Sequence, residues 1–353
     1  MTDLIRGGMD GGKQELKLSI CIATYNRGAF IAETLDSILI QMQPGVELIV
    51  LDGASPDDTQ VVIKGYQSRF PFIQYYRESV NSGVDRDYDK AVSYAKGDFC
   101  WLMTDDDLLR PGAISRVMDN LSVETDLIIV NSEVKNADFT KLLNDRFLKF
   151  NSDKEYFPID GERLFIETAQ YLTFIGGVVI RRILWLERDR KSFYDTLFIH
   201  VGVIFQHSLA NRTLVLSEPL ITIRYGNAMW SSRGFEIWMF KWPELVWSFC
   251  GFSEYSKSQI CPREPWMRLK DLVLYRAIGG YGMSECQSFL EARTNRFKLC
   301  LYKAIAIFPA SIINLFACLY CALINRKARS GLYDLARSRH ATWGSRLLGK
   351  LFL

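Results

Sequence analysis

The sequence has almost no net charge and no regular cysteine pattern. Its 43 lysines and arginines nearly balance 40 aspartates and glutamates, which leaves a formal charge of +3. A domain that binds nucleic acid usually carries a clear basic excess, so we expect no nucleic acid among the partners. The eight cysteines are scattered among apolar residues rather than placed at the spacings of a disulfide framework, which favours a reducing compartment.

The first residues contain no apolar stretch of the secretory type. Residues 1–12 instead include four glycines among polar residues. We therefore predict a flexible tail over residues 1–14 and a folded domain that stays in the cytoplasm. Hydrophobic residues make up 48% of the chain, which is enough to build a large buried core.

Short apolar runs alternate with amphipathic helical patterns in the first part of the chain. Residues 18–23 (LSICIA) and 99–103 (FCWLM) are typical of buried parallel strands, and an apolar stripe over residues 31–42 is typical of a helix. This alternation predicts an α/β fold, with a Rossmann-like, open, mostly parallel sheet flanked by helices. Further strands are predicted at residues 47–51, 73–77 and 127–130, and further helices at residues 57–66 and 85–95. The alternation then weakens, and irregular structure is expected from about residue 150 to residue 235.

Polar residues follow the predicted strands, where an open α/β sheet binds its ligands. Asp105, Asp106 and Asp107 come almost directly after the strand at residues 99–103. Three successive carboxylates repel one another unless a cation is present, and oxygen ligands suit Mg²⁺ or Mn²⁺ bridging a diphosphate. This run predicts a divalent metal site. The alternative is a solvated acidic turn that caps a helix beginning near Pro111.

Two further segments offer ligands for a nucleotide or a sugar. Asp52 precedes a Gly-Ala-Ser turn and could accept hydrogen bonds from a base or a ribose, although a capped turn without a ligand is an equal alternative. After Gly83, Asp85 and Asp87 could contact sugar hydroxyls, and Arg86 could neutralise a phosphate. The alternative there is the start of a surface helix with salt-bridged acids.

His200 and Asp195 are the candidates for a catalytic base. The sequence has only three histidines, and imidazole titrates near neutral pH. His200 is flanked by apolar residues, and a histidine in such a sequence is more often a hydrogen-bonded core residue. Asp195 is therefore its competitor for the role.

The C-terminal part of the chain combines an apolar run with a basic tail. Residues 304–324 contain no charged side chain. A helix of this length is sufficient to cross the hydrocarbon core of a bilayer. Residues 325–353 contain seven lysines and arginines and one acid, a bias that favours an anionic cytoplasmic leaflet. We predict a helical region over residues 236–353 that associates with the membrane. Because Pro309 interrupts the run, a broken helix or a helix lying in the membrane plane is also possible. A buried core helix is the alternative.

Four segments, in this order, resemble the family 2 glycosyltransferases, which are inverting enzymes of the GT-A fold. These segments are residues 20–27 (ICIATYNR), 52–55 (DGAS), 95–98 (AKGD) and 104–112 (TDDDLLRPG). The resemblance implies a GT-A domain over residues 15–235, a nucleotide-sugar donor and a divalent metal, Mg²⁺ or Mn²⁺. It implies donor-binding roles for Thr24, Tyr25, Arg27 and Asp52, and it identifies Asp105, Asp106 and Asp107 with the metal-binding DxD element. Asp85, Arg86, Asp105 and Asp106 complete the predicted donor-binding set.

A narrower resemblance is to the abequosyltransferase-type branch of that family, which builds the O-antigen of lipopolysaccharide on a lipid carrier. It depends on residues 83–87 (GVDRD), residues 99–102 (FCWL) and the aspartate triplet. It implies a lipid-linked saccharide acceptor at the cytoplasmic face of the membrane and transfer of abequose or a related deoxysugar. Gly53 and Thr104 stand where the family often has an aspartate, so the ranking of the three acids as metal ligands stays open.

Two other functions remain as alternatives. A nucleotidyltransferase also uses an α/β sheet and paired acids, but residues 24–28 offer one glycine and one arginine where such an enzyme usually has a Gly-rich basic loop. A non-catalytic, membrane-bound sugar-binding scaffold would not need the aspartate triplet. Trp230 and Arg233 are predicted either to close over the donor or to form an ordinary aromatic anchor.

Overall fold

The computed structural model describes residues 17–229, 233–325 and 327–353. The predicted tail over residues 1–14 and the predicted loop residue Trp230 lie outside this part of the chain. The described residues form one sheet of ten strands. The strands are β1 (Leu18–Thr24), β2 (Val46–Asp52), β3 (Gln74–Arg77), β4 (Phe99–Met103), β5 (Leu108–Leu109), β6 (Thr125–Asn136), β7 (Leu142–Asn144), β8 (Lys154–Tyr156), β9 (Val178–Arg181) and β10 (Arg212–Tyr225).

Most of the long strands run in the same direction. The order across the sheet is β3-β2-β1-β4-β9-β6-β10-β5, with β7 beside β6 and β8 beside β10. β1 is parallel to β2 and β4, β2 is parallel to β3, and β6 is parallel to β10. Strand β9 interrupts this set, because it runs antiparallel between β4 and β6, and the short strands β5, β7 and β8 are also antiparallel to their partners. The predicted α/β fold with a mostly parallel sheet is therefore confirmed.

Helices cover both faces of the sheet, and successive residues of each central strand point to opposite sides. In β1, Ile20 and Ile22 pack on one face and Cys21 and Ala23 on the other, as the two-residue period of a strand requires. The helices are α1 (Ile31–Leu39), α2 (Thr59–Arg69), α3 (Val84–Tyr94), α4 (Ala113–Met118), α5 (Gly161–Thr168), α6 (Arg182–Glu187), α7 (Ile199–Phe205), α8 (Gly234–Glu236), α9 (Trp242–Ser248), α10 (Glu254–Ile260), α11 (Leu269–Ile278), α12 (Met283–Glu285), α13 (Arg296–Ile307), α14 (Ala310–Leu319), α15 (Arg329–Arg337) and α16 (Trp343–Phe352). Helices α1, α2 and α4 share one core with the sheet, while α3, α5, α6, α7 and α9 share the other.

The expectation of irregular structure between residues 150 and 235 is wrong for its longest element. Strand β10 has 14 residues and pairs in parallel with β6, with a register shift between Leu216 and Ile221. The intervening Ser-Glu-Pro segment breaks the alternation of apolar residues, and a proline cannot donate a ladder hydrogen bond. The shift lets one strand continue through a sequence that reads as two fragments.

The apolar run at residues 304–324 is split between two helices. Helix α13 ends at Ile307, Pro309 precedes α14, and π-helical residues Tyr320–Ile324 continue α14. In the described part of the chain, no single helix has the length and composition needed to cross a membrane. The pair Arg296–Ile307 and Ala310–Ile324 meets that requirement only when taken together, and it is bent by 81°.

Candidate active site

The turns that follow β1 and β2 are tied together at the carboxyl edge of the sheet. The N–H of Asn26, which has a left-handed backbone (φ 58°), donates to Ser55 Oγ at 2.9 Å. The N–H of Arg27 donates to the hydroxyl of Thr59, also at 2.9 Å. These two hydrogen bonds fix the backbone of Arg27 relative to the second strand. The side chain of Arg27 can then extend in a defined direction.

Arg27 contacts two of the three successive aspartates. Its Nε lies 3.4 Å from Asp105 Oδ1, and its Nη2 lies 3.6 Å from Asp106 Oδ2. The Arg27 side chain is only 11% exposed, so solvent screens these contacts weakly. Of the other residues predicted at this turn, Thr24 is buried at the end of β1 and Tyr25 is half-buried. The structure thus brings the β1 turn and the acids after β4 together, as predicted.

Asp107 has a structural role that differs from the prediction. Its carboxylate is 3% exposed and accepts hydrogen bonds from the Thr104 hydroxyl and from the N–H of Arg224 at 2.7 Å. Each oxygen accepts one hydrogen bond, and the carboxylate thereby joins the turn after β4 to strand β10. Burial raises the pKa of Asp107 well above its usual value. The role of Asp107 as a metal ligand stays a prediction, while its burial and its two hydrogen bonds give it a structural role as well.

Asp105 and Asp106 form a pair of adjacent, largely buried carboxylates. Asp106 accepts a hydrogen bond from Asn227 Nδ2 at 2.8 Å, and each of the two side chains is 13% exposed. Burial and the neighbouring Asp106 raise the pKa of Asp105 to about 7, while Arg27 opposes the shift. The guanidinium of Arg27 thus leaves part of the negative charge of the pair uncompensated.

This pair has the chemistry of a partial magnesium or manganese site. No group of three or more His, Cys, Asp or Glu side chains that could hold a metal ion occurs in residues 17–229, 233–325 and 327–353. Mg²⁺ is commonly held by one or two carboxylates, with substrate phosphates and water completing its octahedron. Asp105 and Asp106 fit that pattern, and the remaining ligands would have to come from a bound diphosphate and water.

Asp52 supports its own turn. It is fully buried, and its Oδ1 accepts the N–H of Ser55 at 2.7 Å. Its Oδ2 accepts hydrogen bonds from the Tyr75 hydroxyl at 2.7 Å and from Arg77 Nη1 at 2.5 Å. The donor-binding role of Asp52 stays a prediction, and the three hydrogen bonds show that its carboxylate also holds the protein's own turn together.

The next residue explains why this strand end carries a glycine. A Cβ on Gly53 would come within 2.5 Å of Asp87 Oδ2, so any other residue would displace that carboxylate. Asp87 is 2% exposed, its Oδ1 accepts a hydrogen bond from Ser82 at 2.8 Å, and burial raises its pKa. Gly53 therefore allows the first turn of α3 to approach the carboxyl ends of β1 and β2.

Asp85, predicted to bind the donor, instead holds a segment of the protein backbone. Its carboxylate is 3% exposed and accepts the N–H groups of Leu197, at 2.9 Å, and Ile199, at 3.1 Å. Burial raises the pKa of Asp85 to about 6, against the lowering effect of these two donors. Helix α3 thereby clamps the segment that leads into α7.

Asp195 lies in this clamped segment and is open to solvent. Its side chain is 67% exposed and forms a two-point ion pair with Arg86, with Oδ1···Nη1 at 2.6 Å and Oδ2···Nη2 at 2.9 Å. Lys241 donates to the carbonyl of Asp195. Both Asp195 (φ 67°) and Leu197 (φ 73°) have left-handed backbones, which non-glycine residues adopt at a cost. Surrounding contacts thus hold an exposed carboxylate in a conformation that the chain disfavours.

Replacing Asp85 with asparagine is expected to loosen this segment. The amide has one acceptor oxygen where the carboxylate has two, so one backbone N–H loses its partner, at a cost of about 1–3 kcal/mol. We expect faster amide hydrogen exchange at Leu197 and Ile199, with Asp98→Asn, an exposed acid at the other end of β4, as the control. Unchanged exchange at both amides would show that Asp85 does not hold the segment.

His200 is a core residue, which overturns its prediction as a catalytic base. It is 1% exposed inside α7, a helix in which every residue is buried. Its Nε2 lies 2.6 Å from the carbonyl oxygen of Leu172, and burial lowers its pKa to about 4. The ring is therefore neutral at physiological pH and has no access to a substrate.

The neutral His200 should make the fold sensitive to acid. Its pKa in the folded protein lies below the unfolded value near 6.5, so its contribution to stability is complete above about pH 6.5 and is lost as pH falls toward 4. The expected loss is on the order of 3 kcal/mol. We expect the free energy of unfolding of His200→Gln to fall less than that of the wild type over this range. Equal pH dependence in denaturant titrations of the two proteins would contradict the assignment.

No local pattern in the sequence indicates a role for Arg224 or Asn227. The Arg224 guanidinium is nearly buried, donates from Nε to the carbonyl of Asp106 at 2.9 Å, and pairs with Glu33 at 2.6 Å. The carbonyl of Asn227 accepts a hydrogen bond from Arg27 at 3.4 Å. Both residues lie more than 100 positions from the aspartates they hold, so no local motif includes them.

Comparison with known proteins agrees with this architecture. Residues 19–183 match the family model described as "Glycosyl transferase family 2". The chain is 28% identical over 233 residues to the abequosyltransferase RfbV of Salmonella typhimurium, an alignment that covers 62% of this chain and 69% of that protein. It is 32% identical over 103 residues to a Campylobacter jejuni protein named GalNAc(5)-diNAcBac-PP-undecaprenol beta-1,3-glucosyltransferase, covering 29% of this chain and 33% of that one.

Solved structures share the fold. TarS 1–349 of S. aureus in complex with UDP-GlcNAc superposes with a TM-score of 0.57 at 17% identity, covering 93% of each chain. The mannosyltransferase PcManGT of Pyrobaculum calidifontis, in complex with GDP-Man and Mn²⁺, superposes with a TM-score of 0.50 at 14% identity, covering 86% of this chain and 88% of that one. The predicted resemblance is confirmed: residues 19–183 match the model of the family 2 glycosyltransferases, and the chain is similar to RfbV over 233 residues.

Proposed function

We propose that the protein transfers a sugar from a nucleotide-sugar donor to a saccharide acceptor, with inversion at the anomeric carbon. The observation that carries this proposal is the pair Asp105 and Asp106, held by Arg27 at the carboxyl edge of the sheet within the region that matches the family 2 model. Two carboxylates with incompletely compensated charge suit a cation, and that cation suits a diphosphate.

The donor diphosphate would lie beside this pair. A divalent metal, held by Asp105 and Asp106, would neutralise charge on the departing nucleoside diphosphate. Arg27 keeps the two carboxylates in place, and Asn227 orients Asp106 through its amide. Asp107 and Arg224 fix the turn that carries the pair, so the acids do not have to reorganise when the donor binds.

Asp195 is the proposed general base. It would accept the proton of the acceptor hydroxyl while the acceptor oxygen bonds to the anomeric carbon and the bond from that carbon to the diphosphate oxygen breaks. Arg86 lowers the pKa of Asp195 in the free protein, so this exposed ion pair must open before Asp195 can act. Solvent lowers the cost of opening this pair, because the side chains of Arg86 and Asp195 are 36% and 67% exposed. The Arg86 guanidinium would then be able to bind the donor phosphate, which is the role predicted for it from the sequence.

The acceptor is proposed to be a lipid-linked saccharide at the cytoplasmic face of the membrane. One similar protein is named as an abequosyltransferase, and another is named for an acceptor on undecaprenol diphosphate. These names support a role in O-antigen or other cell-surface polysaccharide synthesis. Transfer of abequose or a related deoxysugar is the narrowest form of the proposal, supported by the similarity to RfbV over 62% of this chain.

A panel of donors tests the proposal. Purified protein is incubated with UDP-, GDP-, CDP- and dTDP-sugars, a lipid-linked acceptor, and Mn²⁺ or Mg²⁺, beside the Asp106→Asn variant. We expect one donor to be consumed, with product that depends on metal and on Asp106. If the folded protein turns over none of these donors under any of these conditions, the catalytic proposal fails and a sugar-binding scaffold becomes the better description.

A further inference from the structure

Helices α14 and α16 each present a stripe of exposed apolar side chains. On α14 and its continuation the stripe is Ile312, Phe316 and Tyr320; on α16 it is Trp343, Leu347 and Leu351. Both series repeat every four residues, so each lies along one side of its helix. We call these six residues the docking face. Phe316 is 66% exposed and Trp343 is 80% exposed, which is unusual for large apolar side chains.

The opposite sides of the same helices belong to the protein interior. Asn314 is fully buried and donates to the carbonyls of Ala277, at 3.1 Å, and Leu335, at 2.9 Å. Cys318 and Ala322 continue this buried side of α14. A helix with one side fixed to α11 and α15 cannot be surrounded by lipid. Only the exposed side of this helix is available to contact the surface of a membrane.

Basic residues accompany the docking face. After Glu291 the chain contains eleven lysines and arginines, and Asp334 is its only acidic side chain. Asp334 is largely buried and accepts a hydrogen bond from the Tyr225 hydroxyl at 2.7 Å, so it adds little negative charge to the surface. Arg346 and Lys350 are exposed on α16 beside Leu347 and Leu351. Apolar side chains flanked by cations, with a tryptophan among them, match the boundary between headgroups and acyl chains of an anionic bilayer.

An apolar cleft lies at the bend between α13 and α14. It has a volume of about 300 Å³ and is lined by Val273, Ala304, Ile305, Phe308 and Ile313. All five side chains are apolar, so the cleft suits an acyl chain better than a polar partner.

We propose that the docking face binds an anionic lipid bilayer in the plane of its surface, as a monotopic anchor rather than a membrane span. Helix α15 connects this anchor to the candidate active site: its Tyr333 packs against Gly226 (φ 103°), and its Asp334 binds Tyr225. Both partners immediately precede Asn227, which contacts Asp106 and Arg27. If the proposed function holds, the anchor places the active site one helix away from a lipid-linked acceptor.

Vesicle flotation of the full-length protein tests the docking face. The probes are vesicles of phosphatidylcholine alone and of phosphatidylcholine with phosphatidylglycerol. The wild type is expected to float with the anionic vesicles, and Phe316→Glu/Trp343→Glu is expected to reduce its affinity for them at least ten-fold. The control is Val61→Glu/Val123→Glu, which places the same charges at exposed valines of α2 and of the loop before β6 and is expected to bind like the wild type.

Three results would overturn the proposal. They are absence of wild-type binding to anionic vesicles, equal loss of binding in both double variants, and retention by native membranes after a high-salt, alkaline wash that removes peripheral proteins. Transfer from the same donor panel to a lipid-linked acceptor dissolved in detergent, measured on the same variants, separates this proposal from the proposed function. Vesicle binding without transfer would leave the anchor standing and reject the enzyme, whereas transfer without vesicle binding would do the reverse.

Discussion

The Asp195→Asn variant is expected to lose most transferase activity, with a fall in kcat of about 10²–10⁴-fold, the usual contribution of a general base. The asparagine keeps the size of the side chain but cannot accept a proton. Donor affinity should be retained or rise, because Asp105 and Asp106 are unchanged and the variant frees Arg86 from its ion pair with Asp195. Initial rates at saturating donor and acceptor, together with donor dissociation constants, measure the two effects separately.

The pH dependence of the rate gives a second readout for Asp195. Activity requires the unprotonated carboxylate, so the wild-type rate should fall as pH drops through the pKa of this residue. Arg86 holds that pKa below its usual value, and Arg86→Gln should therefore move the acidic limb of the profile to higher pH. His200→Gln should leave the limb in place, since the ring lies in the core.

A matched control separates base chemistry from a general effect of removing an exposed acid. Asp189 is also exposed, and its pKa is also lowered, by the hydrogen bond with Ser192. It lies near the other end of α7, where its carbonyl accepts a hydrogen bond from Gln206 at 2.9 Å. Asp189→Asn should keep wild-type rates. A kcat for Asp195→Asn within three-fold of the wild type would remove Asp195 from the mechanism.

The first half of the fold could be predicted because its strands are short and buried on both sides. The strand at residues 99–103 has the predicted bounds, and β1 and β2 extend the predicted strands by one or two residues at their ends. Strand β10 escaped prediction because the Ser-Glu-Pro segment at residues 217–219 divides its apolar pattern. Parallel pairing with β6, which a single sequence does not reveal, carries the strand across that interruption.

The candidate site was predictable in location but not in the role of each residue. The local sequence identifies the strand-end acids at residues 52 and 105–107. Whether each carboxylate faces a ligand or the protein depends on distant partners: Arg77 for Asp52, Arg224 for Asp107 and Leu197 for Asp85. His200 could not be ranked either, because helix α7 is buried on all sides and shows no polar face.

Replacing Asp106 with asparagine is expected to weaken metal binding and to lower transfer by about 10²–10³-fold, as losing several kcal/mol of charge stabilisation implies. The amide can retain contacts to Asn227 and Arg27 but removes one of two negative charges. Mn²⁺ affinity in the presence of a nucleoside diphosphate is the primary measurement, and we expect it to fall at least ten-fold. This readout does not depend on turnover.

Asp107→Asn is the informative comparison with Asp106→Asn, because Asp107 is the adjacent carboxylate and has a structural role. The midpoint of thermal unfolding should fall in Asp107→Asn, since the amide cannot accept both the Thr104 hydroxyl and the Arg224 N–H, but Mn²⁺ affinity should be largely retained. Asp106→Asn should show the opposite pattern, with an unchanged or higher midpoint, because removing one of two adjacent carboxylates relieves their repulsion. If Asp107→Asn loses Mn²⁺ binding and Asp106→Asn keeps it, the metal role belongs to Asp107. The division of the triplet argued from hydrogen bonds would then be wrong.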